Sequence, residues 1–272
     1  MTIGENLAII GGGNIGCAIA RGLIKSKRFA PNQIILTRRR LHYLENMEKE
    51  GFKISGNNIQ AVEESDIILI SVEPQQLVGV LEEISPHFDK KRHIIFSIVS
   101  GASITDIKSI IGNGMPVIRV MPNIAVGICE SMTCLCADSS DNIALDKARS
   151  IFDSVGQTLV ISEELMVPAT ALCACGIAFF FRAIRAASQG GIEIGFHSVE
   201  ALAMASQTAR GAAALLNGNP NHPETEIDKV TTPRGCTIAG LNNMEHSGFS
   251  SAMIRGIITS AEKAEKLFKA KE

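Results

Sequence analysis

A cluster of glycines near the start of the chain does most to limit what it can fold into. Residues 7–16 read Leu-Ala-Ile-Ile-Gly-Gly-Gly-Asn-Ile-Gly. A short apolar run enters a turn spaced G-x-G-x-x-G, and a helix-like stretch follows from Cys17 to Lys25. In a strand–turn–helix context this spacing is the fingerprint of dinucleotide binding. Gly11 permits the tight turn, Gly13 lets the backbone approach a pyrophosphate, and Gly16 lets the helix pack close to the strand. The helix N-terminus, at Asn14 and Ile15, then offers backbone N–H groups to the phosphates.

The second strand selects the cofactor. Roughly 20 residues beyond the glycines, a carboxylate would hold an NAD ribose. Here the strand Gln33-Ile34-Ile35-Leu36 ends in Thr37-Arg38-Arg39-Arg40, with no acid. Guanidinium forks pair with phosphate oxygens, so this turn suits a 2′-phosphate. The expected cofactor is NADPH, with NADH as the weaker alternative, because arginines confer preference rather than exclusion.

With 272 residues, 46% of them hydrophobic, the chain has material for one large or two modest domains. A net charge of −2 offers no electrostatic footprint for nucleic acid or an anionic membrane. One Tyr and no Trp leave no aromatic platform for stacking bases. Seven cysteines without a framework spacing fit a reducing, cytoplasmic setting, and no signal leader precedes the first apolar run. The pairs Cys134/Cys136 and Cys173/Cys175 are spaced C-x-C with no histidine near them in sequence. They read as buried structural thiols rather than metal ligands, and no metal site is expected.

Residues 1–162 alternate strand-like and helix-like segments. Strands are expected at 7–10, 33–36, 66–72, 93–99, 117–121, 131–136 and 157–161, and helices at 15–26, 41–50, 74–84, 103–111 and about 141–154. The strands are continuous apolar runs, as in a parallel sheet covered on both faces. Ser103 is placed to cap its helix, with Asp106 in the first turn. The expected fold is a doubly wound α/β domain. From Ser162 the β pattern stops. Ser162-Glu163-Glu164-Leu165 reads as a capped helix start, and helices are expected at 163–188, 198–216, 237–245 and 249–268. The boundary between domains 1–162 and 163–272 is placed there.

Leu165 to Phe181 is an uncharged run of 17 residues that contains Pro168, Thr170 and Gly176. It is at the short limit for a membrane span, so it is expected as a helix buried all round, with no membrane role. So apolar a C-terminal domain is expected to hide its surface against a second copy of the chain.

In open parallel sheets ligands bind at the carboxyl ends of the strands. Segments 71–75, 99–101 and 121–123 can reach that place, and so can 230–240, Val-Thr-Thr-Pro-Arg-Gly-Cys-Thr-Ile-Ala-Gly. This last block leads into a helix near Thr237, which reads equally as a small-anion site or an ordinary cap. The run 165–181 has no ionisable side chain except cysteine. A site of hydroxyls and N–H groups suits reduction of C=N better than of C=O, because a protonated imine is already an electrophile.

These motifs together resemble the pyrroline-5-carboxylate reductase family over nearly the whole chain. The carriers are Gly11–Gly16, Val-Glu-Pro-Gln (72–75), Arg-Val-Met-Pro-Asn (119–123) and the block 230–241, where the family reads V-T-S-P-G-G-T-T-I-x-G-L. The resemblance implies a Rossmann-type doubly wound sheet followed by an all-α dimerisation domain, and NADPH-dependent reduction of 1-pyrroline-5-carboxylate to L-proline. It implies cofactor contacts at Gly11, Gly13, Asn14, Ile15, Gly16, Thr37, Arg38, Asn58, Val72, Pro74, Met121 and Asn123. Substrate contacts are implied at Cys175, Gly176, Thr232, Arg234, Gly235, Cys236 and Thr237. Thr237 is the group implied to serve the imine nitrogen. The partners implied are a small imino acid and a second copy of the chain, as a homodimer or a ring of dimers through the C-terminal helices.

Departures gather at the substrate end. Glu73 stands where the family has Lys, and Ile124-Ala125 where it has T-P. Cys173 to Phe179 replaces a run like S-G-S-G-P-A-Y, Arg234 replaces Gly, and Cys236 replaces Thr. Arg234 either pairs with a substrate carboxylate or fills the pocket. A divergent paralogue reducing another cyclic imine or a ketone, or a non-catalytic NADPH-binding protein, are the alternatives the drift leaves open.

Overall fold

The computed structural model describes residues 4–218 and 221–268. They fall into two compact units, one of residues up to Cys175 together with those from Ser260 onward, the other Gly176–Thr259.

The first unit is built on eight strands: β1 (Leu7–Ile10), β2 (Ile34–Thr37), β3 (Lys53–Ser55), β4 (Ile67–Ile70), β5 (Ile94–Ser97), β6 (Val117–Met121), β7 (Ser131–Ala137) and β8 (Gly156–Val160). Their order is β3-β2-β1-β4-β5-β6-β7-β8. All neighbours run parallel except β6 and β7. The parallel pairs follow from the helical crossovers α1 (Asn14–Lys25), α2 (Glu45–Lys49), α3 (Asn58–Glu63), α4 (Leu77–Ile84), α5 (Ile104–Ile111) and α6 (Asn142–Phe152). Between β6 and β7 stands only a short 3-10 turn, Ile124–Ile128, too small for a crossover, so the chain doubles back. The wholly parallel sheet expected from the apolar runs is corrected at this one pair.

Side chains alternate across the sheet. Leu7 and Ile9 join the core under α1 and α6, with Ile19, Leu23, Ala148 and Phe152. Ala8 and Ile10 join the opposite core, with Leu77, Leu81, Ile104 and Ile107. The switch point, where β1 is flanked by β2 and β4, lies mid-sheet. The expected strands are all present, shortened by a residue or two at some ends. In the first unit a strand and a helix, β3 and α3, have no counterpart in the sequence reading. β3 is a three-residue edge strand of mixed polarity, and α3 is a short helix capped by Asn57, whose side chain accepts from the Gln60 N–H.

Ser103 forms the expected cap. Its hydroxyl accepts from Asp106 N at 3.0 Å, and Asp106 accepts in return from Ser103 N. The second expected cap, Ser162, makes no capping bond to the backbone. Its neighbour Glu163 instead accepts from Ile104 N and from buried Arg119 of β6, so it is tied to the start of α5. The expected helix 163–188 is broken into a 3-10 turn, α7 (Met166–Ala169), a π segment (Thr170–Cys175) and α8 (Gly176–Glu193).

The second unit contains α8, α9 (Ser198–Gly218), α10 (Pro223–Lys229), α11 (Cys236–His246) and most of α12 (Phe249–Glu265). α10 is absent from the sequence reading because Pro and charged residues dominate it. α8 and α9 pack together where Gly191 meets Ala201, a tight contact in which a Cβ on Gly191 would lie 3.0 Å from the Ala201 Cβ. The expectation of a helix buried all round is also corrected. In the single chain α8 buries Gly176 and Ser188, while Phe180 and Phe181 are 62% and 60% exposed. The run Glu163–Glu193 is long and apolar enough to cross a membrane, a test that the core helix of a soluble protein passes equally.

Candidate active site

The glycine turn is held as its sequence requires. Gly11 has φ +107°, and a Cβ there would lie 2.4 Å from the Ser71 carbonyl oxygen. A Cβ on Gly16 would lie 2.6 Å from the Gly11 oxygen, so helix and turn touch. Gly13 is different: a Cβ on it would meet nothing within 4 Å. The open ground above Gly13 is where a backbone-bound anion needs room. Gly13 is also the N-cap of α1 and supplies no side chain, which leaves the N–H groups of Asn14 and Ile15 uncapped. Beside the turn, the hydroxyl of Ser71 is buried without a protein partner among the described residues. An open cradle, uncapped N–H groups and an orphan hydroxyl together fit a pyrophosphate.

At the end of β2, Thr37 is buried and turned inward, its hydroxyl accepting from Gly11 N at 3.3 Å and its carbonyl from Gly12 N at 2.7 Å. Thr37 therefore braces the glycine turn. Arg38 donates to the Gly12 carbonyl at 3.1 Å and lies over the Tyr43 ring at 4.2 Å, while Arg39 and Arg40 are exposed. The Arg38 guanidinium stands beside the turn, two further arginines follow it, and no carboxylate is on that strand end, an arrangement suited to a phosphate on the ribose.

Val72 is half-buried against the core, and Pro74 opens the short turn before α4. Asn58, at the start of α3, donates its side-chain amide to Glu83 of α4 at 3.1 Å. Met121 is buried at the end of β6. Asn123 makes four bonds: its backbone N–H donates to Ser131, its side-chain oxygen accepts from Ala125 N, its carbonyl accepts from Val126 N, and its amide donates to the Cys173 carbonyl at 3.2 Å. The structure thus gathers Gly11–Gly16, Thr37–Arg40 and Val72–Pro74 at the carboxyl ends of the adjacent strands β2, β1 and β4. The π segment, ending at Cys175, is tied to β6 through Asn123. Burial raises the Cys175 thiol above its ordinary value.

In the second unit, Thr232 to Thr237 forms a turn into α11. Gly235 N donates to the Thr232 carbonyl at 2.9 Å, and a Cβ on Gly235 would strike the Thr232 hydroxyl. Gly235 is the N-cap of α11 with no side-chain bond, so the N–H groups of Cys236 and Thr237 open the helix uncapped. Arg234 has φ +61°, the left-handed region that favours glycine. Thr237 is half-buried, and Arg234 and Cys236 are exposed.

Two residues of consequence escaped the sequence reading as individuals. Ser71 lay within a segment flagged only as reachable. Arg119 is a buried charge inside the apolar strand Val-Ile-Arg-Val-Met, a visible signal that a carboxylate partner was needed, and half-buried Glu163 supplies it.

The likeness to known proteins spans both units. A family model for pyrroline-5-carboxylate reductase dimerisation matches residues 163–267, and one described as NADP oxidoreductase, coenzyme F420-dependent, matches residues 6–101. Pyrroline-5-carboxylate reductase 1 of Dictyostelium discoideum is 52% identical over 98% of this chain, which spans about half (51%) of that relative's length. Pyrroline-5-carboxylate reductase 2 of the same organism is 47% identical over 96% of this chain and 93% of its own. Among solved structures, a pyrroline-5-carboxylate reductase from Coxiella burnetii superposes with a TM-score of 0.86 at 26% identity, covering 98% of this chain and 99% of its own. Pyrroline carboxylate reductase from Plasmodium falciparum, solved with NADP bound, shares the fold at a TM-score of 0.87 and 22% identity, covering 97% and 98% of the two chains. A glycine cradle, an arginine turn, an uncapped threonine helix and relatives matched along the whole length converge: the chain belongs to the pyrroline-5-carboxylate reductase family.

Proposed function

We propose that this chain catalyses the NADPH-dependent reduction of 1-pyrroline-5-carboxylate to L-proline. The observation that carries the reading is the uncapped N-terminus of α11 with Thr237 in its first turn, on a chain whose first unit holds an open dinucleotide cradle. Gly11, Gly13 and Gly16 shape that cradle, and the N–H groups of Asn14 and Ile15 hold the pyrophosphate. Arg38, with Arg39 and Arg40, holds the 2′-phosphate, and Thr37 acts behind it by bracing the turn. Asn58, Val72, Pro74, Met121 and Asn123 line the rest of the cofactor's course. When bound, NADPH supplies the hydride for the imine carbon, and NADH serves less well. The N–H groups of Cys236 and Thr237 hold the substrate carboxylate, Gly235 shapes the turn that presents them, and Thr232, Cys175 and Gly176 stand around the ring. The Thr237 hydroxyl serves the imine nitrogen as hydrogen-bond partner or proton donor, the protonated imine being the form that takes the hydride.

Residues 1–162 serve the cofactor, and residues 163–272 serve substrate and dimerisation. The exposed apolar side chains of the second unit support a homodimer, or a ring of dimers, joined through these helices. Seven free thiols suit the cytoplasm.

The test follows loss of NADPH absorbance with 1-pyrroline-5-carboxylate, using the unmodified protein, Thr237→Ala and Arg234→Gly. Turnover by the unmodified protein, lowered about a hundredfold in kcat by Thr237→Ala, supports the reading. The left-handed Arg234 beside the carboxylate loop favours one second reading, a paralogue acting on another cyclic imine or a ketone. In that case the unmodified protein is inactive on this substrate and Arg234→Gly restores turnover. Inactivity of both with every imine and ketone tried, with NADPH still bound, would point to a non-catalytic NADPH-binding protein.

A further inference from the structure

The reaction leaves a pair of facing thiols unused. Cys134 lies on β7, register partner of Met121 on β6, and is 3% exposed. Cys173 lies in the π segment and is half-buried, within reach of a small solute. Their sulfurs stand 4.0 Å apart and share a hydrogen bond. The two residues are far apart in sequence, so this approach is a product of the fold. A π segment breaks the regular helical ladder and recurs at functional positions. This one is attached to the end of β6 by the Asn123 amide on the Cys173 carbonyl.

We propose that Cys134 and Cys173 form a dithiol site for hydroperoxides, closing to a disulfide between β7 and the π segment. Cys173 is the attacking thiol. It is the half-buried sulfur of the two, whereas Cys134 is buried, and a hydrogen bond from Cys134 would favour its thiolate. The Cys173 thiolate attacks one oxygen of the peroxide and breaks the O–O bond. The other oxygen leaves, takes up a proton and departs as water or an alcohol, and Cys173 becomes a sulfenic acid. The Cys134 sulfur then attacks the Cys173 sulfur, and the sulfenic oxygen departs as water with the Cys134 proton. Two thiols are oxidised by two electrons, and one peroxide is reduced. A disulfide needs the sulfurs at about 2.05 Å, which asks for an approach of about 2 Å. Side-chain rotation at Cys173, on a segment without a regular α ladder, supplies it.

The thiols adjoin Met121 and Asn123 but take no part in the reductase reading, so the test is read on the thiols themselves. The full-length protein is treated with hydrogen peroxide, alkylated, digested and analysed by mass spectrometry, with Cys236 as an exposed reference thiol. The expected result is joint loss of free Cys134 and Cys173 and a joined peptide that dithiothreitol separates. In Cys134→Ser the reaction stops at a Cys173 sulfenic acid that dimedone traps, and in Cys173→Ser Cys134 stays reduced. Thermal unfolding of the oxidised protein shifts upward, because the bridge restricts the unfolded chain. Full alkylation of both residues after Cys236 has been oxidised would overturn the proposal. So would Cys173 joined to any cysteine other than Cys134.

Discussion

Two arginines illustrate how much, and how little, a single residue discloses. Arg38 is legible in the sequence, since a basic turn after the second strand and a missing carboxylate point to a 2′-phosphate. The structure adds that Arg38 is already oriented by the Gly12 carbonyl and the Tyr43 ring. Replacing Arg38 with Ala removes charge-assisted bonds worth about 1.5–3 kcal/mol, so KM for NADPH should rise about 10- to 100-fold while KM for NADH stays put. Steady-state kinetics with both cofactors check this. Arg234 is legible only as a departure from the family pattern, because backbone conformation is not written in residue type. At φ +61° a side chain costs about 1–2 kcal/mol that glycine avoids, part of which glycine forfeits through unfolded-state entropy. Arg234→Gly should therefore stabilise the protein by up to about 1 kcal/mol, read as a higher urea midpoint at unchanged slope. Thr37 carries the opposite lesson. Its place in the cofactor turn is legible in the sequence, but its hold on the glycine turn, the hydroxyl accepting from Gly11 N, is not.

At the scale of elements, apolar runs located β1, β6 and β7 closely, because a strand covered on both faces must be apolar along its length. The same logic missed β3, where an edge strand needs no such run, and could not reveal that β7 runs backwards. The entrance to β5 shows what lies below the resolution of patterning. His93 is buried there, accepts a bond from Asp89 N at 3.0 Å and meets Phe88 edge-on. Burial, with Arg92 nearby, holds its pKa below the ordinary 6.5. The folded protein therefore keeps His93 neutral while the unfolded chain takes up a proton below about 6.5. Stability should be constant through this group above that pH and fall as pH drops below it. Urea titrations from pH 7.5 to 5 should show the loss, and His93→Asn, which keeps an acceptor for Asp89 N, should flatten it. A profile unchanged by His93→Asn would remove this residue as the cause.

The whole molecule raises the question of what covers the second unit. Among its described residues Phe180, Ile194, Val199, Leu215 and Ile254 are all more than half exposed. Apolar exposure on this scale marks an association surface, and the dimerisation family model covers these helices. Phe180→Glu should leave the fold of the single chain intact, since Phe180 packs little within it, and should shift the protein toward monomer in sedimentation velocity. Reductase turnover should fall with the dimer. A fully dimeric Phe180→Glu would mean that the contact lies on another face. The 17-residue apolar run drew the expectation of complete burial because composition registers how much must be hidden, not which chain hides it.

By itself the sequence determined the dinucleotide turn, the choice of phosphate-bearing cofactor, the α/β-then-α order and the family. These are local matters of glycine spacing, charge placement and periodicity, where residue type and neighbours suffice. Only the tertiary structure decided that β7 is antiparallel, that Thr37 turns inward, that Arg119 and Glu163 meet, and that Cys134 faces Cys173. Each depends on groups distant along the chain arriving at one place, and packing alone sets that meeting.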